Sequence, residues 1–137
     1  MANWKQVRRI VLALPECREK PAHGRAAWCV GDKSFLWERP LRPADVEALG
    51  PRAPKGPILA VRVPSLLAKE AVIGANPAAC FTTPHFDGYP AVLIRLDKIA
   101  VADLEDRIVE AWLARAPKRV AQLYLDSRRG RKRTVTS

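Results

Sequence analysis

A Gly31-Asp32 pair set between two short apolar alternations constrains this chain more than any other feature. Such a dipeptide suits a two-residue turn with positive φ, and a turn that short joins only antiparallel neighbours. Residues 26–30 and 33–37 are therefore predicted to form a hairpin. In the register the turn implies, Trp28 lies opposite Phe35 and Ala26 opposite Trp37. Val30, Trp28, Phe35 and Trp37 then share one face, and Ala27, Cys29, Ser34 and Leu36 the other. Three aromatic rings on one face are chemically able to stack nucleobases. They read better as a core face, because a helix with a matching apolar stripe precedes them.

That helix begins after Asn3, whose side chain is placed to cap it, with Gln6 three residues on as in a capping box. Trp4, Val7, Ile10, Val11 and Leu14 recur at helical spacing until Pro15, and Lys5, Arg8 and Arg9 fall on the opposite, solvated face. Beyond the hairpin, residues 43–49 predict a short helix with proline in its first turn, and 58–63 a strand. Residues 65–75 predict a helix with Leu66, Leu67, Ala71 and Val72 as its apolar side. Residues 79–82 and 91–96 predict two further strands, and two helices follow from Asp103 and Pro117. Strand runs broken by few helices argue for an α+β domain. The expected packing is a curved antiparallel β-sheet of about five strands with the N- and C-terminal helices on one face. Residues 1–125 form the domain, and 126–137 a basic tail without apolar periodicity that is expected to be disordered.

The chain is 137 residues long and 48% hydrophobic, enough for a single core. No stretch approaches the roughly 18 apolar residues of a membrane span, and residues 1–14 lack the layout of a signal peptide. A soluble cytoplasmic protein, monomeric by default, is expected. Cys17, Cys29 and Cys80 are odd in number, widely spaced and outside any CxxC, and so read as small buried hydrophobes. The net charge of +10 is unevenly spread: from Arg115 onward, eight basic residues face Asp126 alone. Such a gradient points to polyanions, nucleic acid first.

Separated segments then match a known family in order: LPE at 14–16, GRAAWCVGDKSFLWERPL at 24–41, TTPHFDGYPAVLIRLDKI at 82–99 and EAWLARAPKRV at 110–120. Over residues 4–125 the chain resembles the MmcQ/YjbR family. The resemblance implies a double-wing, frataxin-like α+β fold and DNA binding. Its recurrent features here are the Gly31-Asp32 turn with Lys33, the loop holding His85, and Lys118-Arg119. It brings no catalytic set. A frataxin-like iron role is not expected, because residues 4–14 carry no acidic side chain.

The residues themselves favour DNA bound through its phosphates with little sequence preference, since no recognition-helix signature is present. The candidate contacts are Arg62 and Arg95 on the sheet, Lys118 and Arg119, and the cluster Arg128, Arg129, Arg131, Lys132 and Arg133. A second reading is a small-molecule site or enzyme using the loop at 82–90, with His85, Asp87 and Tyr89 as its polar groups. A third is a protein-interaction module. His23, His85 and Asp87 lack the spacing of a metal site. A nucleophilic Cys80 would need an electropositive setting that the sequence does not supply. No GxSxG, GxGxxG or P-loop occurs. No catalytic residue, metal or cofactor is assigned, and a non-enzymatic role is expected.

Overall fold

A computed structural model describes the backbone of residues 2–136 and the side chains of residues 2–128. Six strands, β1 (Cys17–Glu19), β2 (Ala27–Val30), β3 (Lys33–Glu38), β4 (Ile58–Arg62), β5 (Cys80–Phe81) and β6 (Ala91–Arg95), form one antiparallel sheet in the order β1-β2-β3-β4-β6-β5. Five helices accompany it: α1 (Trp4–Leu12), α2 (Pro43–Leu49), α3 (Leu66–Ala75), α4 (Val101–Arg115) and α5 (Lys118–Thr136). This is the expected α+β class, with β1 as a strand not foreseen in the sequence.

The first helix forms as its cap predicts. Gln6 N–H donates to Asn3 Oδ1 and Asn3 N–H to Gln6 Oε1, each at 3.0 Å, so two otherwise orphaned helix donors are satisfied. Val7, Ile10 and Val11 are buried with Leu104, Ile108 and Trp112 of α4 against the inner sheet face. Trp28 meets Trp4 in a stacked contact at 6.3 Å. The Trp28 indole N–H donates to Glu19 Oε1 at 3.0 Å, and the Trp112 indole N–H to the Pro15 carbonyl at 3.1 Å. Both buried tryptophans thus keep a polar partner.

The hairpin turns at Gly31, whose φ of +61° is the left-handed conformation that glycine permits. Its register differs from the sequence expectation. Ser34 pairs with Cys29 but Leu36 pairs with Trp28, which leaves Phe35 as an extra residue in β3. A bulge of one residue exchanges the two faces beyond it. Leu36 therefore joins Trp28 in the core, while Trp37, opposite Ala27 and Ala60, is turned to the outer face.

Two further expectations are corrected. On α3, Leu66 and Leu67 are exposed and Lys69 is buried, because only one side of this short helix meets the sheet and Lys69 lies on it. At the C-terminus the chain remains helical beyond Tyr124, in continuation of α5. Its lysines, arginines and leucines favour helix, and Gln122 Nε2 donates to Asp126 Oδ1 at 3.0 Å one turn on. Amphipathic periodicity, used to place the end of the helix, marks where packing stops; helix can continue past that point.

Candidate functional site

The outer sheet face is where polar and aromatic groups converge. Ile58, Ala60, Ala91 and Leu93 make a small second core, closed by Phe86 and flanked by Trp37, Leu41 and Phe81. Phe86 belongs to the 82–90 loop, which folds back over the sheet through a single 3₁₀ turn at Pro84–Phe86. Three anchors hold the loop. The Lys69 ammonium, buried beneath it, donates to the Phe86 carbonyl at 2.7 Å and the Tyr89 carbonyl at 3.0 Å. Arg62 Nη1 donates to the Tyr89 hydroxyl at 2.6 Å, with its guanidinium 4.9 Å from the ring centroid. Arg39 lies 5.2 Å from the Phe86 ring centroid and forms a buried ion pair with Asp45 at 3.1 Å.

These groups carry the expected electrostatic signatures. Burial lowers the Lys69 pKa from its ordinary 10.5, opposed by the nearby Asp87 carboxylate. Burial pushes the Asp45 carboxyl up, but the Arg42 backbone N–H and the Arg39 guanidinium outweigh it and hold Asp45 below 3.8. Neither Lys69 nor Arg39 stands out in the sequence. A lysine in an amphipathic helix is read as solvated, and only the fold reveals the two carbonyls above it.

Across from the loop, the chain before β2 makes a second, tighter turn. His23 and Gly24 both have positive φ, +53° and +74°, and Ala22 and Arg25 exchange two backbone hydrogen bonds of 2.9 and 3.0 Å. This two-residue turn presents His23 and Arg25 at the rim of a groove of about 880 Å³. Trp37 and Phe86 line its interior, and Arg42, His85, Asp87 and Tyr89 complete the walls. The His-Gly dipeptide, preceding an apolar strand, was the available sequence signal for this turn.

The loop residues His85, Asp87 and Tyr89 therefore come together with His23. Among the described residues, no group of three or more His, Cys, Asp and Glu side chains is arranged to hold a metal ion. Cys80 is packed in the inner core, across the sheet from His85 and Asp87. Burial raises its thiol pKa, partly offset by Arg107. A Cys80–His85–Asp87 constellation is not assembled.

The basic residues divide into two sets. Arg62 and Arg95 share the outer face but sit at opposite ends of the β4–β6 ladder, Arg62 opposite Ala91 and Arg95 opposite Ile58. Four residues of strand separate them by about 13 Å. Lys118 and Arg119 open α5, whose Val120 and Tyr124 pack on the inner core, so the sheet lies between the two sets. Arg119 and Arg128 border a crevice with Arg9 of α1, facing Glu16 and Glu105. Arg128 also donates to the Tyr124 hydroxyl at 3.2 Å. Arg129, Arg131, Lys132 and Arg133 lie outside the residues whose side chains are described. Arg9, which sequence reasoning placed on a merely solvated face, is the addition.

No family model matches the chain. It is 52% identical over 128 residues to the uncharacterized protein Rv2570 of Mycobacterium tuberculosis and, equally, to the uncharacterized protein Mb2600 of Mycobacterium bovis, covering 91% of this chain and 97% of each relative. The chain belongs to the family of Rv2570. At the level of fold, this Rv2570 relative is similar to the crystal structure of the Deinococcus radiodurans protein DR2400, a DUF419 domain. The TM-score is 0.61 at 16% identity, over 82% of this chain and 78% of that one. No helix among the described residues is long and apolar enough to cross a membrane.

Proposed function

We propose that this protein binds DNA through the phosphate backbone, with little sequence preference, in the manner implied by its MmcQ/YjbR resemblance. The observation that carries the reading is the charge of α5 and its approach. Lys118, Arg119 and Arg128 are exposed on α5, Arg9 borders the same crevice, and the sequence adds Arg129, Arg131, Lys132 and Arg133. Arg119 and Arg128, nine residues apart, are spaced about 13.5 Å along the α5 axis and flank the crevice from opposite edges of the helix, so that a phosphate chain crossing it meets both. Phosphate contacts of this kind position a protein without reading bases. Arg62, engaged by Tyr89, is assigned to holding the loop.

Fluorescence anisotropy of labelled duplex DNA at two salt concentrations tests this. With five phosphates neutralised, log K falls against log salt with a slope of about −4 to −5. Removing residues 127–137 flattens the slope and weakens binding, and Arg9→Ala with Arg119→Ala weakens it further. Absence of salt-sensitive binding by the full chain overturns the proposal.

A further inference from the structure

We propose that the outer-face groove is a separate binding site for a nucleoside phosphate, with the base stacked on Trp37 and the phosphate held between Arg25 and Arg42. The ligand chemistry is that of a free nucleotide or of one unpaired nucleotide in a strand.

Trp37 is where the bulge at Phe35 places it, half-buried on the outer face between two alanines, Ala27 and Ala60. Its cross-strand neighbours are methyl-sized, and the partly covered indole packs beside Phe86 while lining the groove. Trp28 and Trp112 each donate their indole N–H within the protein, whereas that of Trp37 has no acceptor among the described residues. A flat, partly exposed indole with a spare donor is a stacking platform that tolerates any base.

Arg25 and Arg42 are both exposed, line the same groove, and form no ion pair among the described residues. Arg25 is held in place by the His23-Gly24 turn, and Arg42 by its position immediately before α2, where its backbone N–H donates to Asp45 at 2.9 Å. Guanidinium forks on fixed backbone suit phosphate oxygens. Two carboxylates also face the groove. Glu38 accepts the Ala26 N–H at 3.2 Å, and Asp87 lies beside the Lys69 ammonium, so each already has a positive or donor partner. A volume of about 880 Å³ falls in the range of small-molecule sites, ~300–1,000 Å³.

The site lies across the sheet from α5, so it is tested independently of duplex binding. Tryptophan emission is followed while the full chain is titrated with adenosine 5′-monophosphate and, separately, with an oligothymidylate octamer. Saturable quenching by at least one probe is expected. Quenching by the mononucleotide assigns a free ligand, and quenching by the octamer alone assigns an unpaired strand.

Trp37→Leu weakens binding by about tenfold or more. Arg25→Ala with Arg42→Ala, both solvent-exposed, does so by about tenfold; isothermal titration calorimetry follows the Trp37 variant, which loses the optical signal. Removing residues 127–137 leaves mononucleotide affinity unchanged, which separates this site from α5. No binding of either probe, or binding unaltered in both variants, overturns the proposal.

Discussion

Replacing Lys69 by methionine tests how the outer face is held together. The ammonium makes two charge-assisted bonds to loop carbonyls, at 2.7 and 3.0 Å, each worth roughly 1.5–3 kcal/mol. The full sum is not lost, for two reasons. The Phe86 carbonyl still accepts Tyr89 N–H at 3.0 Å and the Tyr89 carbonyl still accepts Ala91 N–H at 2.8 Å, and methionine removes the cost of burying a charge. A net loss of about 2 kcal/mol follows, equivalent to a fall in Tm of roughly 6–8 °C for a domain of this size. Differential scanning calorimetry reads that shift, and hydrogen exchange reads faster opening across residues 83–90.

The variant also removes a pH signature. Burial lowers the Lys69 pKa in the folded state below its ordinary 10.5, so between those values the unfolded chain binds more protons. Stability from this group therefore rises with pH across that window and is lost as pH falls through the depressed pKa. The stability gap between the parent and Lys69→Met widens with pH in that range. A Tm within 1 °C of the parent (~0.3 kcal/mol) refutes the clamp, and a gap that narrows with rising pH refutes the dominance of burial in the Lys69 titration.

Asp45→Asn leaves the Arg39 guanidinium buried without its carboxylate and costs about 3–5 kcal/mol, measured by urea denaturation. In the parent, the Asp45 contribution is present above pH 3.8 and lost as pH falls through its depressed pKa, so acid unfolding of the variant lacks that component. Burial, opposed by a Trp112 contact and reinforced by Cys29, pushes the Cys17 thiol up to about 12. Native-state reaction with a disulfide reagent at pH 8 is accordingly slow, and a rate matching that of the denatured chain contradicts the burial of Cys29 and Cys80 and the half-burial of Cys17. Gly31→Ala meets open space but keeps a φ of +61°, which costs about 1 kcal/mol in left-handed strain; an unchanged urea midpoint contradicts the turn.

Local chemistry in the sequence carries the fold well. The Asn3–Gln6 cap and the Gly31-Asp32 turn act within a few residues, and alternation along 58–62 and 91–95 survives as two full strands. What escapes is nonlocal. The bulge at Phe35 lies in the register of β3 between β2 and β4, and Lys69 is explained only by a loop 17 to 20 residues away. The candidate sites show the same division. His85, Asp87 and Tyr89 are recognisable as a polar loop, but their companions Trp37 and Arg42 are separated from them by two strands and two helices. Arg62 and Lys118 look equivalent as charges, and only the sheet between them assigns them to different surfaces.

The single extra residue in β3 makes the outer surface depend on strand register more than on side-chain identity. Leu36 already pairs with Trp28 and Trp37 with Ala27, so deleting Phe35 leaves a regular ladder with the same faces, whereas a slip that seats Phe35 opposite Trp28 turns Trp37 inward and Leu36 outward and erases the indole platform. Substitutions tune this surface gradually; a one-residue slip in register abolishes it in a single step.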